Sequence, residues 1–310
     1  MVFRPTPKQL EYLIAVVEAG HFGRAADMCN VAQPTLSVQL KLLEDRLGVQ
    51  LIERGMKRAL ATPAGLRLLP YARLVLNTLD DMRAAADVSS NNLGGLIRLG
   101  AAPTFGPYIL PGILSRLHEQ YQDLEIYIRE DRPVELEADL VNGKLDCVIT
   151  PAPILSENLQ SELICEETIF LGIPVEDPIA ECSMIEVEAL NGRMMLTMGS
   201  GHRLYENVRS LCDRSGAIMR EDYEGTSLDA VRQMVSIGMG ISLFPAAYIS
   251  SEFEKAEGVA IRRIEGNPMT RMLALAWRKN SPREASFKIL LEELRDACKR
   301  FAPEQGIKPY

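Results

Sequence analysis

Residues 33–54, QPTLSVQLKLLEDRLGVQLIER, decide the fold of the N-terminal part of this 310-residue chain. Leucines recur in this stretch at spacings of four, three and four, which predicts a helix with one buried face. The four leucines are Leu36, Leu40, Leu43 and Leu47. Gln33 and Pro34 open the helix, and no acidic residue occurs before Glu44. A helix whose first half lacks negative charge suits the DNA major groove, although an ordinary amphipathic surface helix shows the same leucine pattern.

Two further helices are predicted upstream of this stretch. Thr6-Pro7 supplies an N-cap and a first-turn proline for a helix through Gln9–Glu18, and Ala19-Gly20 ends it. A second, alanine-rich helix lies near Gly23–Cys29, and a turn of three residues separates it from Gln33. Two helices joined by such a short turn are typical of a helix-turn-helix.

A basic hairpin is predicted after the third helix. Residues 48–54 form a turn into a strand, residues 55–58 a basic turn, and residues 59–61 a second strand, which together resemble a wing. Gln33 can bond a base edge, Ser37 a base or a phosphate, and Val38 can pack on a thymine methyl group. The candidate DNA contacts are Gln33, Pro34, Thr35, Ser37, Val38, Lys41, Arg54, Lys57, Arg58 and Thr62.

The ordered motifs of residues 1–65 resemble the DNA-binding domain of LysR-type transcriptional regulators. The segments that carry the resemblance are Ala25-Ala26, Gln33–Ser37, Leu43-Glu44, Leu47-Gly48, Leu51–Arg54 and Thr62–Gly65. The resemblance implies an all-α winged helix-turn-helix in which Gln33, Pro34, Ser37 and Arg54 face double-stranded DNA. It also implies a homodimer or homotetramer and contact with RNA polymerase.

Charge and composition fit that expectation and oppose other classes. The chain carries a net charge of −8, but residues 1–65 contain eight basic and six acidic side chains. It contains no apolar run long enough for a membrane span, no apolar segment that predicts a signal peptide, and no Cys-x-x-Cys spacing. The three histidines are far apart, and no nucleophile–base pair or phosphate loop is recognisable. We therefore expect a cytoplasmic protein that is not an enzyme and has no membrane partner, metal or cofactor.

Residues 63–95 are predicted to form a linker. A helix from Pro63 to about Asp87 carries an apolar stripe, and Val88–Gly95 is a polar hinge. The stripe consists of Leu68, Ala72, Val75, Leu79, Met82 and Ala86. It forms either a two-helix dimer seam, as the LysR resemblance implies, or a packing face on its own chain. Pro70 predicts a bend within the helix.

The remainder alternates strands and helices, which predicts an α/β domain with parallel strands. It resembles the two-lobed, periplasmic-binding-protein-like effector domain of the LysR type. Residues 96–165 and 268–303 would form lobe 1, and residues 166–267 would form lobe 2. Chain crossings are expected near 164–167 and 266–270, with a small effector bound between the lobes.

Two segments offer polar groups to such an effector. Thr104 precedes a helix, where it supplies either a ligand donor or a plain N-cap. His202 and Arg203 either pair with a carboxylate or belong to a solvated turn, and Thr226-Ser227 resembles a capping box. The candidate effector contacts are Pro103, Thr104, Phe105, Gly201, His202, Arg203 and Thr226.

Several segments resemble the peroxide-sensing OxyR subfamily more closely than other LysR-type proteins. They are residues 103–108, 143–149, Gly201-His202, Cys212 and 226–228. In that subfamily a peroxide-reactive cysteine directly follows Gly-His, whereas Arg203 occupies the position here, and Pro133 replaces an assisting threonine. The usual disulfide switch is therefore expected to be absent. Either an anionic metabolite is sensed, or the redox chemistry uses other thiols such as Cys212, which is a lowered-pKa thiol or a buried inert one.

Overall fold

A computed structural model describes residues 3–54, 58–86, 93–253, 258–266, 269–300 and 306–310. The chain divides into two compact units. One comprises Met1–Ser90 with Val141–Lys144, and the other comprises Asn91–Leu140 with Leu145–Tyr310. Among the described residues, no helix is both long and apolar enough to cross a membrane. The predicted hinge falls largely on residues 87–92, which lie outside the described ranges.

The N-terminal unit begins with three helices at the positions that the sequence predicts. They are α1 (Pro7–Ala19), α2 (Phe22–Met28) and α3 (Gln33–Leu47). The Thr6 hydroxyl accepts the Gln9 amide hydrogen, and the Gln9 side chain accepts from the Thr6 N–H, so a capping box starts α1. Gly20 ends α1 in the left-handed conformation at φ 62°.

The leucine stripe of α3 forms most of the core between these helices. Leu36, Leu40 and Leu43 are fully buried, which confirms the predicted inner face. Leu47 is 38% exposed, so its inclusion in the buried stripe was wrong. It is the last residue of the helix, and the chain turns away at Gly48 in the left-handed region.

The wing and the linker helix complete this unit. Strands β1 (Ile52–Arg54) and β2 (Ala59–Ala61) pair antiparallel, with Ile52 opposite Ala61. Helix α4 (Pro63–Ala86) follows and is continuous through Pro70, so the bend stays a prediction. Gly65 lies in its first turn, against the Leu51 carbonyl.

The apolar stripe of α4 divides between two faces. Leu68 and Ala72 pack into the core of the N-terminal unit, where Ala72 is 3% exposed. For these two residues the second alternative, a packing face on their own chain, therefore holds. Val75 is 45% exposed, and the large apolar side chains around it define an exposed stripe on α4. This exposed α4 stripe consists of Tyr71, Leu74, Val75 and Met82.

Lobe 1 of the C-terminal unit is a mixed sheet. Strand β3 (Gly95–Ala101) pairs parallel with β4 (Leu124–Glu130) on one side and β5 (Cys147–Pro151) on the other. Strand β12 (Thr270–Arg278) adds antiparallel to β5, so the predicted parallel strands form only part of a mixed sheet. The helices of this lobe are α5 (Gly106–Gln120), α6 (Pro133–Val141) and α10 (Glu284–Cys298).

One long strand, β6 (Leu159–Pro174), runs through both lobes. Glutamates at positions 162, 166 and 167 interrupt the apolar pattern of its first half, so the sequence does not indicate its full length. Residues 159–168 pair with β12, whereas residues 169–174 pair with strands of lobe 2. The change of partners after Thr168 marks a crossing between lobes one residue beyond the predicted 164–167. Part of the second predicted crossing, residues 267–268, lies outside the described ranges.

Lobe 2 packs its helices around the second half of β6. Its longer elements are α7 (Arg203–Ser215), α8 (Leu228–Ser236), β10 (Ser242–Pro245), α9 (Ala246–Glu252) and β11 (Val259–Ile264). Its short strands are β7 (Met184–Ile185), β8 (Met194–Met195) and β9 (Ile218–Met219). Near the C-terminus, β13 (Ile307–Pro309) pairs with β6 opposite Cys165–Glu167. Strands β11 and β13 and helix α9 were not predicted.

Candidate functional site

The outer face of α3 is polar, accessible and free of acidic residues in its first turn. Five of its candidate contacts are exposed, and Ser37 is half-buried. The exposed five are Gln33, Pro34, Thr35, Val38 and Lys41. Ala32 is the N-cap, and its methyl side chain cannot accept a hydrogen bond from the first-turn N–H groups. A helix terminus of this kind favours an anionic ligand such as a phosphate.

Glu44, the first acidic residue of α3, serves the wing. It is 8% exposed, and its Oε1 accepts hydrogen bonds from Leu51 N at 2.8 Å and Ile52 N at 3.0 Å. Its carboxylate therefore fixes the first strand of the hairpin to the end of α3. The sequence places this negative charge away from the DNA-facing end, but gives no indication that it is buried.

The structure describes some of the predicted DNA contacts in the wing and not others. Arg58 is exposed at the start of β2, and Arg54 ends β1. Lys57 lies outside the described residues. Thr62 is buried, its hydroxyl donates to Gln50 O at 2.7 Å, and it accepts from Gly65 N at 3.0 Å. Thr62 therefore caps α4, and we omit it from the proposed DNA contacts.

The segment before α5 is held by a buried ion pair that the sequence did not predict. Arg271 donates from Nη1 to Thr104 Oγ1 and from Nη2 to Thr104 O, each at 2.8 Å. Its Nε contacts Glu167 Oε2 at 2.7 Å, and Glu167 Oε1 accepts from Ala247 N at 2.7 Å. Phe105 is fully buried in the lobe 1 core. Thr104 thus belongs to a network that joins β12, β6 and α9, in which Arg271 positions its hydroxyl and leaves the O–H hydrogen to donate.

One feature of the sequence is consistent with the pairing of Arg271 and Glu167. Each charge stands beside a mainly apolar strand segment, a place where an unpaired charge is costly. Their partnership spans 104 positions, so no local spacing indicates it.

The four candidate effector residues of lobe 2, Gly201, His202, Arg203 and Thr226, meet in one place, whereas Pro103 lies with Thr104 and Phe105 before α5. Gly199 N donates to Gly225 O at 3.1 Å, which brings the loop before α7 beside exposed Thr226. His202 is half-buried at the N-cap of α7, and Arg203 is the exposed first residue of that helix. These residues form the lobe 2 side of the candidate cleft.

Arg132 of lobe 1 faces this loop. Its Nη1 lies 3.5 Å from Ser200 O, and a Cβ at Gly201 would lie 3.2 Å from its Cδ. Burial lowers the pKa of His202, and the positive charge of Arg132 lowers it further, whereas Asp131 and Glu224 oppose the shift. The imidazole is therefore biased toward its neutral form. Arg132 was not among the predicted contacts, because it follows β4 without a recognisable motif.

Two buried hydroxyl groups lack a hydrogen-bond partner among the described residues. Thr150 lies in β5 and is fully buried, and Thr197 follows β8 and is 3% exposed. Arg132 and Thr150 stand near the carboxyl ends of β4 and β5, the edge at which open α/β sheets bind ligands. Buried polar groups without partners are uncommon, which favours a polar ligand at this edge.

Cys212 lies on the inner face of α7. It is 8% exposed and packs in the lobe 2 core, while Arg209 and Arg214 of the same helix point to solvent. Burial raises the pKa of its thiol, and the nearby Asp213 charge adds to the shift. This environment is that of a buried inert cysteine rather than a lowered-pKa thiol.

Comparison with known proteins agrees with both halves of this description. Residues 7–66 match the bacterial regulatory helix-turn-helix protein, lysR family, and residues 90–299 match the LysR substrate binding domain. The chain belongs to the LysR family. It is a DNA-binding transcriptional regulator with an effector-binding domain.

Within that family the chain is similar to OxyR proteins. It is 36% identical to the DNA-binding transcriptional dual regulator OxyR of Escherichia coli K12 over 288 residues, 93% of this chain and 94% of that protein. A hydrogen peroxide-inducible genes activator of Haemophilus influenzae is 34% identical over 94% of this chain and 97% of its own. A full-length OxyR cysteine-to-aspartate variant from Pseudomonas aeruginosa matches with a TM-score of 0.80 and 30% identity, covering 94% of this chain and 95% of that one.

Proposed function

We propose that this regulator responds to a small anionic effector bound between its lobes beside Arg132, His202 and Arg203. The observation that supports the proposal most strongly is the approach of Arg132, from lobe 1, to the Ser200 carbonyl and Gly201 of lobe 2. A ligand that binds this arginine and the lobe 2 loop together favours one arrangement of the lobes. Differential binding to two arrangements is the physical basis of an allosteric response.

The charge distribution supports an anion. Arg203 is exposed, and Arg132 is half-exposed, with the Glu135 carboxylate 3.7 Å from its Nη2 and the Ser200 carbonyl 3.5 Å from its Nη1. Among the neighbouring carboxylates, Asp131 is engaged by Arg129 at 2.7 Å. Half-burial raises the pKa of Glu137, and the positive charge of Arg203 lowers it, so Glu137 is a carboxylate close to Arg203. Two arginines at the cleft can bind a carboxylate or a phosphate of the effector.

The redox alternative has weaker support at the position that defines OxyR. Arg203 follows Gly201-His202, where the resemblance implies a peroxide-reactive cysteine, and a guanidinium group cannot form a disulfide. Cys212 would then lack its usual partner. The similarity to hydrogen peroxide-inducible activators nevertheless keeps oxidant sensing as the second candidate. A Cys212→Ser variant tests it. Normal regulation under oxidant would exclude a role for Cys212, and failure to regulate would support one.

A thermal-shift screen of the full-length protein tests the effector proposal. Mono- and dicarboxylates, sugar phosphates and neutral analogues are each added at millimolar concentration. A ligand at a hundred times its Kd adds ~2.7 kcal/mol, which raises the melting temperature of a domain of this size by roughly 5–10 °C. We expect shifts for anions only.

Three variants place such a shift at the proposed cleft. Arg132→Gln and Arg203→Gln should abolish it, whereas Arg209→Gln should retain it, because Arg209 is exposed on another side of α7. An anion shift that survives both cleft variants would place the effector elsewhere. Shifts produced equally by neutral analogues would remove the argument from charge.

We propose that α3 enters the major groove and that the exposed α4 stripe pairs with a second copy of the chain. Exposed apolar side chains recur along α4 at positions 71, 75 and 82, as in a two-helix seam. A Val75→Asp variant should sediment as a smaller species than the native protein, whereas Asp80→Lys, exposed on the opposite face of the same helix, should not. Transcriptional control would further imply contact with RNA polymerase in the cytoplasm and no enzymatic activity of its own.

A further inference from the structure

Two buried cysteines outside the effector cleft lie side by side in lobe 1. Cys165 belongs to β6 and Cys298 is the last residue of α10, and both are fully buried. Both pack in the same lobe 1 core, and Cys298 is the neighbour that raises the pKa of the Cys165 thiol most. They are 133 positions apart in sequence, so only the fold brings them together.

The packing of α10 on β6 fixes this arrangement. Arg295, one turn before Cys298, donates from Nε at 3.0 Å and from Nη2 at 2.7 Å to Leu163 O. The register between β6 and β12 shifts at this point, since Leu273 faces Cys165 and Ala274 faces Leu163. A bulge of this kind re-aims a side chain. The Arg295 side chain therefore holds the end of α10 to β6 beside the two cysteines.

We propose that Cys165 and Cys298 form an oxidisable dithiol that a hydroperoxide closes to an intramolecular disulfide. One thiolate attacks a peroxide oxygen, the O–O bond breaks, and a sulfenic acid forms while the leaving oxygen departs as water after taking up a proton. The second sulfur attacks the sulfenic sulfur, the S–O bond breaks, and a second water leaves. Two thiols and one hydrogen peroxide give one disulfide and two waters.

The reaction is slow compared with that of a dedicated peroxide sensor. The hydrogen bond to Cys298 raises the pKa of Cys165, and burial raises it further, so thiolate is scarce at neutral pH. The protein must also open locally to admit the oxidant, because neither sulfur is exposed. This inference goes beyond the anionic-effector proposal and does not depend on it.

The location gives the disulfide a structural consequence. Cys165 precedes Glu167 by two residues on β6, the strand that crosses between the lobes. Pro309 of the C-terminal strand β13 pairs with Cys165. Tyr310 N donates to Ile164 O at 3.0 Å. The bond would enclose all of lobe 2 in one covalent loop and tie α10 to the crossing strand, which restricts lobe movement.

Peptide mapping of the full-length protein tests the proposal. The native protein is incubated with hydrogen peroxide over hours at pH 7 and pH 9, alkylated in denaturant without reductant, and digested. We expect a cross-linked pair of peptides containing Cys165 and Cys298, two hydrogen atoms lighter than the separate peptides, forming more than ~20-fold faster at pH 9 because the thiolate fraction rises about tenfold per pH unit below the pKa. The single tryptophan, Trp277, reports through its fluorescence that the domain stays folded.

Variants distinguish this pair from the other thiols. Cys298→Ala should abolish the cross-link, and Cys212→Ser, in the other lobe, should leave it unchanged. Overoxidation of single cysteines without any cross-link, or a cross-link confined to other cysteines in the native protein, would overturn the proposal. Each of these outcomes is read from the native chain, so a folding defect in a variant cannot hide it.

Discussion

Replacing Glu167 with glutamine should destabilise the effector domain more than any surface change. The side chains of Arg271 and Glu167 are 3% and 0% exposed, so water cannot replace a lost partner. A glutamine amide keeps one acceptor, and its NH₂ group faces a donor, either Arg271 Nε or Ala247 N. One hydrogen bond is lost and a buried cation is left unpaired, which costs ~3–5 kcal/mol.

Urea unfolding followed by tryptophan fluorescence measures this loss. Trp277 is the only tryptophan, and it is fully buried in β12, the strand that carries Arg271. Glu166→Gln is the matched control, because Glu166 is the half-buried neighbour of Glu167 on β6. This substitution should cost less than ~1 kcal/mol. Adding Arg271→Met to Glu167→Gln should recover part of the loss by removing the unpaired charge. A loss below ~1 kcal/mol for Glu167→Gln would refute the reasoning, since the pair would then be hydrated.

Three further changes test separate parts of the structure. Glu44→Ala removes two charge-assisted hydrogen bonds to the first wing strand and should lower the free energy of unfolding by ~2–4 kcal/mol. Thermal unfolding followed by circular dichroism measures this loss. A loss below ~0.5 kcal/mol would contradict the role of the buried Glu44 carboxylate in fixing the hairpin. Thr62→Val should cost ~1 kcal/mol and Thr62→Ser much less, because only the hydroxyl caps α4. The pKa of His202 is lowered in the folded protein, so its contribution to stability is complete above about pH 6.5 and is lost as the pH falls. His202→Asn should flatten the pH dependence of the urea midpoint between about pH 5 and 7, and an unchanged slope would argue against burial of the imidazole.

The N-terminal domain could be predicted closely because its signals are local. The proline after Thr6, the leucine spacing of α3 and the glycines at positions 20 and 48 each act within a few residues. The faces of α4 could not be predicted in the same way. A repeat of apolar residues shows that a helix has an apolar face, but whether Ala72 faces its own core or solvent depends on tertiary packing.

The effector site was predicted less completely for the same reason. The loop at 201–203 and Thr226 do come together, since Gly199 and Gly225 are hydrogen-bonded. Arg132 belongs to lobe 1, and it lies beside these lobe 2 residues only because β6 connects the two lobes. A helix does begin after Thr104, but Phe105 is its N-cap, so the plain N-cap interpretation of Thr104 was wrong; the distant Arg271 donates to its hydroxyl oxygen instead.

DNA selection followed by affinity measurement tests the central claim, that α3 reads DNA, most directly. Duplexes bound by the full-length protein are selected from a random library, and the Kd values of a selected and a scrambled duplex are compared for the native protein and Gln33→Ala. If Gln33 reads a base, the variant should bind the selected duplex roughly 5- to 150-fold more weakly, equivalent to ~1–3 kcal/mol, and the scrambled duplex almost unchanged. Equal affinities of native protein and variant for the selected duplex would contradict that role. Failure to select any sequence at all would contradict the assignment of α3 as the reading helix.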